Sequence, residues 1–345
     1  MIPIQNIYYM LSYAFQVLNE QGYKNIATEQ FNNTAELMAA ILEKGIAIQL
    51  KRGLGKEYIP QTEALSSLRG KIDIAESIKT QSMLRKQLIC TYDEFSVNSI
   101  MNRIIKSTVE LLLRSNISKQ RKKNLRKLMV YFSEVDCIDL YTVNWNVQYN
   151  RNNQTYRMLI SICYLVVKGL LQTQSNGHTK LMDFLDEQRM CRLYEKFILE
   201  YYRREFKNQI TANASQIPWQ LDNEENSMLP VMQSDIMLQS GEKVLIIDAK
   251  YYEHSTQVQF DRHTLHSGNL YQIFTYVKNK EYELREKDHT VSGMLLYAKT
   301  DEAIYPNNVY QMSGNQITVR TLDLNLPFDE IAGQLNIIAK THFDL

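Results

Sequence analysis

Residues 229–252 read Leu229-Pro230-Val231-Met232-Gln233-Ser234-Asp235-Ile236-Met237-Leu238-Gln239-Ser240-Gly241-Glu242-Lys243-Val244-Leu245-Ile246-Ile247-Asp248-Ala249-Lys250-Tyr251-Tyr252. Two apolar runs flank the turn-forming Gln239-Ser240-Gly241-Glu242, so the stretch reads as a β-hairpin. Two loops fit. A Gly-first turn at Gly241-Glu242 sets Asp235 directly opposite Asp248, whereas Ser240-Gly241 sets them diagonal. Either register leaves the two carboxylates on one face, roughly 5 to 8 Å apart at Cβ. Lys250 lies two residues beyond Asp248 and shares that face.

Two neighbouring carboxylates resist joint ionisation unless a cation neutralises them. Mg²⁺ prefers oxygen ligands and takes one or two carboxylates together with waters and phosphate oxygens. Such a metal lowers the pKa of its water and stabilises charge on a phosphodiester, and the Lys250 ammonium is placed to orient the attacking water. Asp-x(12)-Asp-x-Lys on a hairpin is therefore a candidate metal-dependent nuclease site. Asp and Lys at strand ends also serve simply to keep a sheet edge soluble. Here the apolar run Val244-Leu245-Ile246-Ile247 leads straight into the polar residues, and a second Asp faces them across a short turn.

Moving outward, Met190 to Phe206 reads as a helix with Leu193, Phe197, Ile198 and Tyr201 on one side. It carries Glu195, an acid ahead of the hairpin that is a candidate further metal ligand. After the hairpin, His263 to Lys278 reads as a helix on which Gln272 and Tyr276 lie four apart on one face. That pair suits a role in holding the lysine or a phosphate, and equally suits ordinary packing. Val291 to Tyr297 reads as a further core strand. Helix, hairpin, helix and strand together make an α/β or α+β core.

The length of 345 residues suggests two domains or one elaborated domain. A 44% hydrophobic content provides for a core, and a net charge of +1 means that nucleic-acid contact must come from local patches. Cys90, Cys137, Cys163 and Cys191 form no CxxC pair, which argues against zinc and against a disulfide framework and fits a reducing cytoplasm. The N-terminus lacks the basic region of a signal peptide. The longest apolar run, Met158 to Leu171, is too short to cross a membrane and contains Lys168.

In the N-terminal half, Asn6 to Leu18 reads as a buried helix capped by Asn6, and about Asn33 to Gln49 as a second. Between Lys51 and Glu94 short segments at Tyr58-Ile59-Pro60, Gly70 to Ile74 and Leu88 to Tyr92 read as a small β module. Loops such as Arg52-Gly53-Leu54-Gly55-Lys56 are its candidates for reaching a partner. Asn98 to Phe132 is strongly helical and carries the basic run Lys119-Gln120-Arg121-Lys122-Lys123, which suits either phosphate contact or a solvated face. A helix at Tyr156 to Leu171 precedes the polar break Gln174-Ser175-Asn176-Gly177-His178, with a domain boundary between about residues 150 and 185. Gly55-Lys56 lacks the upstream glycine of a P-loop, so any nucleoside triphosphate must be hydrolysed by another chain.

The hairpin resembles the PD-(D/E)xK nuclease superfamily at Asp235, Asp248 and Lys250, with Gln272 and Tyr276 matching the Q-x-x-x-Y element of some branches. Ser234 stands where the motif name has proline. Over nearly its full length the chain is similar to the McrC family, nuclease subunits of McrBC modified-cytosine (5-methylcytosine) restriction systems. The matching stretches are Ile2 to Ala14, Gly70-Lys71-Ile72-Asp73, Asn102 to Thr108, Leu193-Tyr194-Glu195-Lys196-Phe197, Ser234-Asp235-Ile236, Ile246 to Tyr252 and Asn269-Leu270-Tyr271-Gln272, in that order.

That resemblance implies an α+β multidomain chain. An N-terminal helical and β region, residues 1–165, would bind a motor ring and stimulate its GTPase. A restriction-endonuclease-like α/β core, residues 166–345, would cut DNA in defence against foreign DNA. It implies Asp235, Asp248 and the Ala249 carbonyl as Mg²⁺ ligands, Lys250 as the residue that positions water, and Glu195, Gln272 and Tyr276 as support. It implies as partners a McrB-like AAA+ subunit, which binds the GTP, and double-stranded DNA with modified cytosine, with no membrane. Two other expectations compete with it: a catalytically silent adaptor regulating an AAA+ NTPase, and a nuclease of another class acting alone.

Overall fold

The computed structural model describes residues 2–19, 23, 26, 29, 31, 33–150, 153, 155–175, 187–223, 228–252, 257–259, 262–299 and 305–345. The chain divides into two compact units, one made of Met1–Phe31 with Leu185–Leu345, the other of Asn32–Phe184. The division differs from a single cut near residue 165, which falls inside a helix, because the first helix packs with the C-terminal part. No helix among the described residues is long and apolar enough to cross a membrane.

The first helix is α1 (Ile4–Ala14), followed by a 3-10 turn at Gln16–Asn19. It starts earlier than the sequence suggests. Pro3, with φ fixed near helical values, sits at the cap. Asn6 lies inside the helix, buried, and donates from Nδ2 to the carbonyls of Leu324 and Leu326, each at 2.8 Å.

The second unit holds α2 (Thr34–Arg52), β1 (Glu57–Leu65), β2 (Lys71–Asp73), α3 (Ile74–Lys79), β3 (Leu88–Ser96), α4 (Ile100–Arg114), α5 (Lys119–Met129) and α6 (Tyr156–Ser175). Asn33 caps α2 by accepting from the Glu36 amide at 2.8 Å. The three strands form an antiparallel sheet in the order β1-β3-β2. Ile74 opens a helix instead of ending a strand, because Asp73 caps it by accepting from the Glu76 amide.

The strongly helical stretch expected over 98–132 is two helices, α4 and α5. Ser118 caps the second by accepting from the Arg121 amide at 3.2 Å, and the basic helix is tied down by Arg121 pairing with Glu43 at 2.8 Å. The loop at Gly55 is not free to move. Its amide donates to the Tyr156 hydroxyl at 2.7 Å, and its carbonyl accepts from Asn102 at 2.9 Å. The polar break from Asn176 to His178 lies outside the described residues.

The first unit continues with α7 (Glu187–Glu205), β4 (Thr211–Asn213), β5 (Gln216–Ile217), β6 (Met232–Gln233), β7 (Ile236–Ser240), β8 (Lys243–Lys250), β9 (Gln257–Gln259), β10 (Arg262–Thr264), α8 (Ser267–Glu283), β11 (Thr290–Ala298), β12 (Asn308–Met312), β13 (Asn315–Leu322) and α9 (Phe328–Phe343). Its six-stranded mixed sheet runs β12-β13-β11-β8-β7-β4. β8 and β11 are parallel, and α8 makes the crossover between them. His263, expected in that helix, lies on β10 instead.

One face of the sheet packs Met237, Val244, Ile246, Leu295 and Ile317 against Ile273 and Val277 of α8. Elsewhere in the unit an aromatic cluster joins α1, α7 and α9. Tyr9 stacks on Phe328 at 4.4 Å, and Tyr13 meets Phe197 at 5.7 Å and Tyr201 at 5.3 Å. Such pairs add about 0.5–1.5 kcal/mol each beyond their burial.

Candidate active site

The hairpin register settles which turn the sequence uses. Ile236 pairs with Ile247 and Ser240 with Lys243, so the loop is Gly241-Glu242. Gly241 has φ +57°, the value a Gly-first turn requires, and Glu242 stays at negative φ. One step beyond the last pair, Asp235 stands directly opposite Asp248. By strand alternation Asp235, Asp248 and Lys250 share the face that Met237, Val244 and Ile246 present to α8.

Asp235 is fixed from behind. The buried Ser234 donates its amide to the Ser215 carbonyl at 3.0 Å and its hydroxyl to the same oxygen at 3.1 Å. A proline at 234 lacks that amide proton. Asp235 Oδ2 in turn accepts from the Ala249 amide at 2.9 Å.

Asp248 is 1% exposed, and neither of its oxygens has a directed hydrogen bond. Lys250 Nζ lies 2.8 Å from Asp248 Oδ2, close enough for a strong charge contact but at a poor hydrogen-bonding angle. Lys250 is held on its other side by Gln272, whose Oε1 accepts at 3.2 Å, and Gln272 Nε2 donates to the Tyr276 hydroxyl at 2.9 Å. The structure thus links Asp248, Lys250, Gln272 and Tyr276 in one chain across β8 and α8.

Glu195 faces the same group from α7. Its carboxylate accepts from Cys191 Sγ at 3.0 Å, and that sulfur lies 3.8 Å from the Ala249 carbonyl oxygen. Burial, then the Glu195 hydrogen bond, push the Cys191 thiol up to about 12, so it stays S–H. Sequence reasoning passed over Cys191, although its i,i+4 spacing to Glu195 on a helix was visible.

The electrostatics of the four charged groups agree. Burial first, then the charges of Asp248 and Glu195, raise Asp235 from 3.8 to about 8. Burial also raises Asp248, opposed by Lys250, and raises Glu195. For Lys250 burial pulls the pKa down, but Asp248 at 2.8 Å outweighs it and the net shift is upward. The lysine is therefore a permanent cation and donor, unsuited to act as a base. With all four ionised, three carboxylates and one ammonium leave a charge of −2.

Among the described residues no three His, Cys, Asp or Glu side chains converge as a metal cage. The arrangement offers instead two opposed carboxylates and the Ala249 carbonyl, a set that suits a hard divalent cation completed by water. The lack of a directed hydrogen bond at Asp248 and the crowding of three carboxylates round one ammonium fit such an ion.

A family model described as the McrBC 5-methylcytosine restriction system component matches residues 5–298. The chain is 30% identical over 329 residues to the type IV methyl-directed restriction enzyme EcoKMcrBC of Escherichia coli (strain K12), covering 94% of this chain and 93% of that one. Among solved structures, a half-complex from the tetradecameric assembly of Thermococcus gammatolerans McrB AAA+ hexamers with bound McrC aligns at 19% identity and a TM-score of 0.48, over 97% of this chain and 76% of that one. The cryo-EM structure of the Thermococcus gammatolerans McrBC complex aligns at 21% identity and a TM-score of 0.41, over 59% of each chain.

Proposed function

The chain belongs to the McrBC 5-methylcytosine restriction system component family, and we propose that it is the DNA-cutting subunit of a GTP-dependent, modification-dependent restriction complex. One observation carries the catalytic part: two buried, opposed carboxylates, one with no directed hydrogen bond, with a lysine held beside them. That is an expensive arrangement for stability alone. It is what hydrolysis of a phosphodiester needs, as in the PD-(D/E)xK nucleases that the hairpin resembles.

In this reading Asp235, Asp248 and the Ala249 carbonyl would hold Mg²⁺, with Glu195 as a supporting acid. When bound, the ion would supply Lewis-acid stabilisation of phosphoryl charge and a more acidic water. Lys250 has three N–H donors. One faces Asp248 and one Gln272, which leaves the third for the attacking water or a phosphate oxygen. Gln272 and Tyr276 keep that ammonium on station, and Cys191 steadies the Glu195 carboxylate.

The absence of a P-loop supports the division of labour with a McrB-like AAA+ GTPase, and EcoKMcrBC being methyl-directed supports DNA with modified cytosine as the substrate. The β1–β3 module suits the contact with the motor. Tyr58 and Phe95 pair across it at 5.0 Å with their rings largely in solvent, and Ile74, Ile78 and Leu84 are exposed nearby in the sequence. An exposed apolar group of this kind marks an interaction surface.

The test is Mg²⁺-dependent cleavage of methylated and unmethylated plasmid by this chain, with and without its AAA+ partner and GTP. Cleavage confined to partner, GTP and methylated DNA supports the reading. Cleavage by the chain alone marks an autonomous nuclease, and none under any condition marks a silent regulator.

A further inference from the structure

α7 and the segment leading into β7 enclose an open cleft of about 400 Å³. Arg192, Glu195 and Lys196 line it from α7, and Gln233, Ser234 and Asp235 from the other side. Two of these six are carboxylates of the candidate catalytic group. A DNA strand carries a negative charge at every phosphate and meets repulsion at such an approach unless a cation compensates. Arg192 stands i, i+3 to Glu195 and i, i+4 to Lys196, so it is the cation that shares a helical face with the acid.

The two cations are not equivalent. Lys196 Nζ rests 4.1 Å above the ring of Phe15, a cation–π contact that already engages it. Arg192 is exposed and makes no hydrogen bond, ion pair or ring contact among the described residues. Its charge acts on Glu195 without pairing to it. Ser234 offers nothing here, since its hydroxyl is committed to the Ser215 carbonyl. A guanidinium binds phosphate through a planar fork and stays charged at any working pH.

We propose that Arg192 is a phosphate-binding residue of the nuclease, gripping the DNA backbone in the cleft beside the phosphate that Asp235 and Asp248 would act on. This rests on the nuclease reading and adds where the cut strand lies: along α7.

The experiment is binding of a fluorescein-labelled duplex, methylated or unmethylated, by the full chain with Ca²⁺ in place of Mg²⁺, across a range of salt. Arg192→Ala is expected to lower the slope of log affinity against log salt by about 0.9, the value for one lost phosphate contact. The affinity loss should be the same on both duplexes, because a backbone contact carries no sequence information. Arg192→Lys should recover the slope but only part of the affinity. Lys207→Ala, an equal change of charge on an exposed residue beyond the end of α7, should leave the slope unchanged. An unchanged melting temperature and unchanged stimulation of the partner's GTPase show that the variants are folded. An unaltered slope in Arg192→Ala, an equal fall in Lys207→Ala, or a wild-type chain that binds no duplex overturns the assignment. Failure of the nuclease reading shows separately, as absence of cleavage by the wild-type complex.

Discussion

Gly293→Ala tests how the site is held together. Gly293 lies on β11, paired with Ile246 of β8 on one side and Ile317 of β13 on the other. A methyl group there would stand 2.8 Å from Ile273 Cγ1, 2.8 Å from Val277 Cγ2 and 2.9 Å from Ile317 Cδ1. Carbon atoms settle at about 3.5–4.0 Å, so the three contacts must each open by roughly 0.6 Å or more. Ile273, Val277 and Ile317 are all 0% exposed and have no free space to turn into. The strain therefore falls on α8, which must lift from the sheet.

Overpacking by one methylene-sized group costs about 1–3 kcal/mol. The entropy gained by replacing a glycine returns about 0.4–1 kcal/mol of that. A net loss of about 1–2 kcal/mol in a unit of roughly 190 residues lowers the melting temperature by about 2–8 °C. α8 also carries Gln272 and Tyr276, so its shift loosens the hold on Lys250. Cleavage should accordingly drop at temperatures well below the melt, while stimulation of the partner's GTPase persists. The double variant Gly293→Ala/Val277→Ala makes room for the new methyl, and its cost should fall short of the sum of the single costs by about 0.5 kcal/mol or more. Thermal melts of the four proteins measure this. Additive costs, or a Gly293→Ala protein as stable as wild type, would refute the packing argument.

Three further outcomes are expected. Tyr276→Phe removes the acceptor of Gln272 and should slow cleavage about ten- to a hundredfold, the usual cost of losing a supporting hydrogen bond at a metal site; single-turnover rates within twofold of wild type would dismiss that role. In metal-free protein Asp235 keeps a proton up to about pH 8 that the unfolded chain releases near 3.8. The stability this confers is complete below 3.8 and is lost as pH rises toward about 8. Asp235→Asn should therefore flatten the decline seen in EDTA melts between about pH 5 and 8, and a wild-type melting temperature that climbs over that range would contradict the shift. Finally, a fragment starting at Glu187 lacks the α1 side of the aromatic cluster and both Asn6 hydrogen bonds, and should not fold unless residues 1–31 are supplied; a cooperative melt of the fragment alone, matching the full chain, would count against the division into units.

The hairpin was legible in the sequence because its information is local. Two apolar runs, one glycine at the turn and a two-residue spacing between Asp248 and Lys250 are enough to set three side chains on one face. The pair Gln272 and Tyr276 was legible for the same reason, as helical spacing. The role of α1 was not, because Asn6 meets partners more than 300 residues away, at Leu324 and Leu326, and nothing in its neighbourhood announces them. The break between α4 and α5 was hidden by a helical pattern that continues past it, and only the Ser118 cap marks the restart. Ser234 reads as a departure from the nuclease motif. In the fold its amide and hydroxyl both reach Ser215, a residue 19 positions earlier, and so set the aspartate beside it.

The same distance argument bears on why the acids gather where they do. A buried carboxylate pair is tolerated only where the surrounding structure is strong enough to impose it. Asp248 sits on β8, a central strand with β7 and β11 on its two sides, so its backbone is fixed by ladders in both directions. Asp235 enters at the end of β7, where the Ser234–Ser215 contacts replace the ladder. Lys250 is set by the end of β8 and by α8, and Glu195 by α7. Four charges therefore come from four differently supported positions, and relaxing any one of them relieves repulsion at the others' expense in geometry. The carboxylates are held together between elements that cannot separate without unfolding sheet, and this is the condition under which a divalent cation, by displacing the proton on Asp235, would be drawn into a site of two carboxylates and a carbonyl.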